Sequence, residues 1–442
     1  MENTAQMLTF LSLFLGLVTG VRPVELAVGK DIAAVEIRLD GKLLGVLKEA
    51  RWRIDVDFGS VPEPHHLEAT GFDVSGQQVA RVLQKINLHR SLAEANLLIE
   101  PGTGGRDRIA RLTWQSVIAE RPERLSVRFD GTPIAAPDPA RIALPPFVPE
   151  RVHFLRAELE FSAGISTSAE ITFGGENRDR TQAELTAVPV LPEKRKLLPG
   201  KDMEGWFLTD GAPARVVAEE EGPGEIAVVL DEAARLPLAR LVESYRPTPV
   251  FLGTIPFSRA RDVAPLGKGQ RVRFQWTFPE VHDHSGTRFE LFPHSQDFLA
   301  GSSGLLWMMT HVFPPGVPKE RRFADAVAVA ALNVSAESRP RAVVLLLAGS
   351  KDASALDPAA AQGFLSRLGV PLFVWTMGTG AREARAWNTT GGTDVSTPGA
   401  FEEAARKLVT FVEHERMVWL EGVHLPQSIA LSPKASGLAL VR

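Results

Sequence analysis

The chain has 442 residues, more than one hydrophobic core usually serves, so two to four domains are expected. Its 49 Lys and Arg are balanced by 53 Asp and Glu spread fairly evenly, which leaves no electrostatic footprint for nucleic acid or an anionic membrane surface. The absence of cysteine excludes disulfides, thiolate catalysis, thiolate zinc sites and iron–sulfur ligation together, while 37 Gly, 32 Pro and a single Tyr suit many short strands and turns.

Near the start, the apolar run Met7–Val18 has the character of a signal-peptide core, with Val18-Thr19-Gly20 as a weak cleavage motif. Glu2 precedes it and no Lys or Arg does, so the positive flank of a signal peptide is missing. The run is also too short to span a bilayer. The preferred reading is a first strand over Leu8–Leu13, a turn around Gly16 and a second strand over Pro23–Val28, with no convincing signal peptide and no membrane span.

An internal repeat organises the first half. Val35-Glu-Ile-Arg-Leu-Asp40-Gly41 returns about ninety residues later as Leu125-Ser-Val-Arg-Phe-Asp130-Gly131, each an alternating strand ending in an Asp-Gly turn. Each copy runs on into a second alternating strand (Trp52, Ile54 and Val56; Ile142 and Leu144), then a polar loop with His (His65-His66; His153) and a strand leading out. Leu8–Leu13 has a counterpart in Ala95–Ile99. Units of this size with turn signals every 8 to 12 residues predict two tandem immunoglobulin-like β-sandwiches, over residues 1–94 and 95–190. Trp52, Phe58 and Phe72 should help build the first core, and Asp73-Val-Ser-Gly76 should supply a tight turn. Residues 191–225, rich in Pro, Gly and Glu, read as a strand-bearing linker.

From Ile226 the pattern changes to strands alternating with helices, which predicts a mostly parallel sheet covered on both faces over residues 226–422. The expected strands are Ile226–Leu230, Arg271–Phe278, Arg288–Phe292, Ala342–Leu347, Pro371–Trp375 and Met417–Leu420. Asp357-Pro358 should open a helix that Gly369 ends; Thr397-Pro398 should open another, and a third should run from Arg322 to Val334. Residues 423–442 are left as a C-terminal tail.

This order, with the phrases Arg341-Ala-Val-Val-Leu-Leu-Leu347 and Val370-Pro-Leu-Phe-Val-Trp375, resembles the von Willebrand factor A domain. In wording the chain is similar to bacterial VWFA-related proteins, in which immunoglobulin-like repeats precede such a domain. The resemblance covers residues 226 to about 422 and, more loosely, 7–190. It implies a Rossmann-like α/β domain and, in members that bind metal, three loops at the C-terminal ends of the strands that supply Asp and two Ser, a Thr, and an Asp to Mg²⁺. At the matching positions the first loop keeps Asp231 but has Ala233 and Arg235, the second has Lys319-Glu-Arg-Arg322 where Gly-Thr would stand, and the third has Ala348-Gly349 where Asp-Gly would stand. The implied metal site is therefore degenerate, with no metal or other cofactor expected. Arg235 would oppose a cation there, and Asp231 is expected to pair with Arg235 or to cap nearby backbone.

Other candidates carry bland readings. His282-Asp283-His284 beside Glu280 has zinc-type chemistry but no third spaced ligand, so a solvated loop is expected. His65-His66 likewise reads as loop. Ser302 and Ser303 do not form the Gly-x-Ser-x-Gly elbow and read as helix caps, Gly102-Thr-Gly-Gly105 lacks the ending of a phosphate loop, and Asp352 and Asp357 could be displaced acidic ligands, although Asp357 is better explained as a cap. Trp307, Met308, Trp375 and Trp387 could line an apolar groove at the loop end of the sheet and serve as an interaction surface. The expected function is a non-enzymatic interaction or structural, adhesion-type protein with an unidentified protein partner, outside the cytoplasm by family analogy. The alternatives are a hydrolase or other enzyme using the α/β half, and a ligand- or carbohydrate-binding surface on the sandwich loops.

Overall fold

The computed structural model describes residues 8–12, 14, 17–48, 51–88, 93–101, 108–116, 121–129, 132–148, 152–161, 166–174, 185–193, 203–220, 223–245, 263, 266, 270–284, 287–299, 304–312, 320–336, 339–387 and 392–442. The chain forms two compact units, one of Met1–His89, Ala187–Leu420 and His424–Arg442, the other of Arg90–Thr186 with Glu421–Val423.

The first unit begins with a β-sandwich. One sheet holds Leu8–Phe10, Val21–Val28 and Arg53–Asp57; the other runs Lys42–Leu47, Ala34–Leu39, His65–Phe72, Gln78–Ile86, all antiparallel. The period-two pattern explains the pairing: Val35, Ile37, Leu67 and Ala69 point inward onto Val24, Leu26, Val56 and Phe58, while alternate residues face out. The hairpin after Ala34–Leu39 turns on Asp40 (φ 51°) and Gly41 (φ 77°), two consecutive left-handed residues, which is what an Asp-Gly type I′ turn requires. Trp52 packs at the edge of this core and Phe72 is half-buried.

The second unit is a sandwich of the same plan. Ile142–Ala143, Arg108–Ser116 and Ala93–Pro101 form one sheet, and Thr132–Ile134, Arg124–Phe129, Val152–Glu160, Ser166–Gly174 the other. The repeated strands Ala34–Leu39 and Arg124–Phe129 hold the same place in their four-stranded sheets, which gives the sequence repeat a topological meaning. The second Asp-Gly turn, Asp130-Gly131, lies outside the described residues.

The α/β portion of the first unit contains, in chain order, β1 (Glu225–Leu230), α1 (Arg235–Ser244), β2 (Arg271–Gln275), β3 (Glu280–His284), β4 (Thr287–Leu291), β5 (Phe298–Leu299), α2 (Leu305–His311), α3 (Phe323–Val334), β6 (Arg341–Leu347), α4 (Pro358–Leu368), β7 (Leu372–Thr376), α5 (Ala381–Ala384), β8 (Thr393–Asp394), α6 (Pro398–His414) and β9 (Arg416–Glu421). The main sheet has the order β5-β2-β1-β6-β7-β8, parallel except for the short edge strand β5. Taken in chain order these six strands lie 3-2-1-4-5-6, a doubly wound arrangement. β1 and β6 are buried along their whole length, as central parallel strands must be. Helices α1, α2 and α6 cover one face and α3 and α4 the other. α4 begins with Asp357 accepting from the Ala360 N–H and ends at Gly369 (φ 64°), and α6 begins with Thr397 accepting from Ala400.

Four expectations are corrected. Met417–Leu420, expected as the last strand of the parallel sheet, instead lies in the strand Arg416–Glu421, which joins a separate sheet of order Val216–Glu220, Arg416–Glu421, Leu185–Pro192, Leu438–Leu440. With a second sheet of Ala212–Ala214, Phe207–Thr209 and Ile429–Leu431, it encloses Val188, Val190, Phe207, Val418, Leu420 and Ile429. The expected linker and tail are thus two halves of one small β unit. Residues 288–292, expected in the main sheet, lie in the β3–β4 hairpin, and the antiparallel edge is β5. His282-Asp283-His284 therefore belongs to a strand, not a loop; its side chains lie outside the described ones.

Candidate functional site

In an open doubly wound sheet, ligands bind beyond the carboxyl ends of the strands where the winding reverses. Here that is the crevice between β1 and β6. Asp231 follows β1 directly, is fully buried, and caps the 3₁₀ turn Glu232–Ala234 by accepting from the Ala233 N–H at 3.0 Å. The remaining donors come from the loop after β6: the N–H groups of Ala348 (2.9 Å) and Ser350 (3.0 Å) donate to Oδ2, and the Ser350 hydroxyl donates to Oδ1 at 2.6 Å. Both oxygens are engaged, so Asp231 works as backbone glue between two loops. Arg235 opens α1 and is exposed.

The neighbouring loops are tied by charge as well. Arg321 donates to Glu232 at 2.6 Å, with both side chains largely out of solvent. Asp352 accepts from the N–H groups of Phe323 (2.9 Å) and Ala324 (3.2 Å), capping the first turn of α3, where a carboxylate also meets the positive end of the helix dipole. Asp325, in that first turn, accepts from Ala355 and Leu356 and from Arg322 Nε, and the Arg322 guanidinium lies over the Phe292 ring at 5.1 Å. The three loops following β1, preceding α3 and following β6 are therefore bound to each other by carboxylates, of which Asp231, Asp352 and Asp325 each serve several donors. Gly349, at φ 109°, lies against Thr379 of the loop after β7, and a Cβ there would collide with the Thr379 hydroxyl.

The remaining expected site residues fall elsewhere. Trp375 and Trp387 are 1% and 2% exposed, and Met308 is 3% exposed. The expected groove is thus corrected: these side chains fill the two cores flanking the sheet, because β7 sits between two covered faces and α2 packs its Met308 and Met309 inward. Trp307 is half-buried and stacks on His311 at 3.7 Å. Asp357 is a helix cap. Ser302, Ser303 and Gly102-Thr-Gly-Gly105 lie outside the described residues. His65, expected in a loop, opens a strand instead; it is buried, with Nδ1 2.7 Å from Asp40 Oδ2. Burial by itself would lower its pKa, but the Asp40 hydrogen bond and charge outweigh that and raise it. His153 also begins a strand and is buried among Phe129, Phe147 and Phe173. Among the described residues no group of three or more His, Asp or Glu converges as metal ligands.

Sequence reasoning missed Ser350, whose hydroxyl and amide complete the Asp231 network, and the Arg321–Glu232 pair. No local pattern marks either, since the partners lie 119 and 89 residues apart.

No family model and no curated protein matches the chain. Among solved structures, it is similar to the fibronectin(III)-like modules of Clostridium thermocellum CbhA, at 15% identity over 18% of this chain and 93% of that one, with a TM-score of 0.17. It is also similar to the central fibronectin-III array of RIM-binding protein (11% identity, 47% and 79% covered, TM-score 0.24) and to Bacteroides uniformis β-glucuronidase 3 (14% identity, 39% and 25% covered, TM-score 0.18). At such scores these likenesses carry no argument about activity. The described strands themselves give β-rich, sandwich-like modules and a covered parallel sheet, and no helix among the described residues is long and apolar enough to cross a membrane.

Proposed function

We propose that the chain is a non-enzymatic protein-binding or structural protein, in which two immunoglobulin-like sandwiches accompany an A-type α/β domain that works without a divalent ion. The strand order with a short antiparallel edge, together with Asp231 directly after β1, supports an A-type domain. The observation that carries the metal-free reading is the Asp231 carboxylate, whose two oxygens accept from Ala233, Ala348 and Ser350. Mg²⁺ needs a near-octahedral set of oxygens. Ala233, Arg235 and Ala348 bring no side-chain oxygen to it, so the residues at this end do not fit the ion, and the Arg321–Glu232 pair joins the first two loops internally instead.

Such an end can present a rigid surface to another protein, and the hydroxyls that sit on its carboxylates, Ser350 on Asp231 and Ser354 on Asp352, serve the network that ties the loops together. We further assign the protein to a compartment outside the cytoplasm; sequencing the mature N-terminus from native cells, with fractionation, tests this, and an intact Met1 in the cytosolic fraction counts against it. For the binding role, calorimetry with Mg²⁺ and Mn²⁺ is expected to give no saturable site. A micromolar site that disappears in Asp231→Ala, or turnover of an ester, glycoside or phosphate substrate that one side-chain substitution abolishes, would overturn the proposal.

A further inference from the structure

We propose that a groove on the first unit, between the end of the strand Leu185–Pro192 and the C-terminal half of α6, binds a small amphiphilic carboxylate, that is, an aliphatic or aromatic body with one carboxylate at its end. The cavity has a volume of about 400 Å³, within the range of small-molecule sites. It is far from the Asp231 loops, near the opposite end of α6 from Thr397, and independent of the binding role proposed above.

The groove follows from how α6 is built. Phe401, Ala404, Ala405, Leu408 and Val412 turn inward onto the sheet. Arg406, Lys407, Thr410, Phe411 and His414 then fall along the flank at spacings of three and four, which aligns them as neighbours on one side of the helix. Leu191 and Pro192 form the facing wall and are held in place by pairing with Ala439 and Leu438. The Phe411 ring is anchored edge-on against Phe373, with centroids 5.6 Å apart, and the His414 ring is fixed by its Nδ1–H donating to the Thr410 carbonyl at 2.7 Å. The apolar wall and the His414 ring are therefore held in place, while Arg406 and Lys407 stand exposed at the rim.

The lining combines three apolar side chains, Leu191, Pro192 and Phe411, with three basic ones, Arg406, Lys407 and His414, and among the described residues it contains no carboxylate. An apolar body laid on Leu191, Pro192 and Phe411 gains from leaving water, and a terminal carboxylate matches the planar fork of Arg406 better than any cation or neutral group could. Lys407 pairs with Glu403 at 2.8 Å, but both are exposed and four residues apart on the helix, an arrangement of small net worth that an incoming carboxylate can displace. A polyanion such as a nucleotide fits less well, because three of the seven lining residues are apolar.

Calorimetry on the full chain with 4-phenylbutyrate tests this, alongside its neutral amide and acetate. The acid is expected to bind at a single site, with the amide and acetate each at least about tenfold weaker, one lacking the charge and the other the body. Arg406→Gln with Lys407→Gln removes both charges while keeping most of each stem, and should weaken the acid about tenfold with an unchanged thermal melt. If that variant melts lower, Arg406→Lys is read in its place, and should weaken the acid by losing the planar fork alone. Equal binding of acid and amide, an unweakened variant, or no binding of the acid up to about 10 mM overturns the proposal.

Discussion

Asp231→Ala is the sharpest perturbation of the candidate site. It removes an acceptor that serves three backbone N–H groups and one hydroxyl, but the four bonds are not equal. Ala233 is exposed, so water can take over its N–H, and the Ser350 hydroxyl can rotate toward solvent from its half-buried position. The N–H groups of Ala348 and Ser350, which both point at Oδ2, are the ones left stranded. An orphaned buried donor costs about 1–3 kcal/mol, and because these two are part-buried the low end applies, a loss of about 2–3 kcal/mol. Asp231→Asn separates the terms: its amide oxygen can stand in for Oδ2, while its NH₂ takes the place of Oδ1 and the Ser350 hydroxyl turns to accept from it. That variant is expected to lose only about 1–2 kcal/mol.

A chain of several cooperative parts does not unfold in two states, so a single global free energy is a poor readout. Amide exchange at Ala348 and Ser350, measured beside urea unfolding followed by tryptophan fluorescence, reports on the loop itself. Both amides should be protected in the wild type, weakly protected in Asp231→Asn and open in Asp231→Ala. An Asp231→Ala protein within about 1 kcal/mol of wild type, or an Asn variant as costly as the Ala variant, refutes the argument that this carboxylate ties the loops by accepting from specific donors.

Gly349→Ala should cost about 2 kcal/mol or more, read as a shift in urea midpoint, because alanine must adopt φ near 109° and meet the Thr379 hydroxyl. The raised His65 pKa makes the first sandwich pH-sensitive: the stabilisation from protonated His65 is fully present below its ordinary value of 6.5 and is lost as pH rises through the higher folded value. Thermal melts across pH 5.5 to 9 should show that fall, and Asp40→Asn should flatten it. At the opposite end of the sheet, burial pushes the Glu415 carboxyl up to about 8 against the pull of Arg341. Its contribution to stability is therefore present below the ordinary carboxylate range and declines as pH rises through about 8, so the advantage of wild type over Glu415→Gln should shrink over that interval in denaturation measured at several pH values.

Local chemistry was legible wherever the partners are close in the chain. Asp357-Pro358 and Gly369 bound α4 because a cap, a preset φ and a left-handed residue are all local requirements. The Val35–Gly41 repeat predicts a strand and a turn for the same reason, and the alternation of its residues fixes which face is buried. The same Asp-Gly signal stands at Asp210-Gly211, where Phe207–Thr209 turns back on Ala212–Ala214, and it marks the expected linker as part of a folded unit. Burial, by contrast, depends on what covers a strand: Trp375 on a sheet with helices on both faces is core, although the same residue on an uncovered edge would be surface.

Strand membership fails for a related reason. The run Met417-Val418-Trp419-Leu420 is as suitable for a parallel sheet as for an antiparallel one, and only its neighbours distinguish them. Those neighbours are Val216–Glu220 and Leu185–Pro192, roughly two hundred residues earlier. The same long return decides the chemistry at the other end of the sheet. Asp231 is a carboxylate at the end of a central strand, yet three of its four donors arrive from a loop more than a hundred residues further on, and nothing in its local sequence announces them. The carboxylates of Asp231 and Glu232 are satisfied from inside the protein by backbone N–H groups, the Ser350 hydroxyl and the Arg321 guanidinium. A cation entering there would have to displace donors already aimed at those oxygens, which is why the side chains at this end do not fit one.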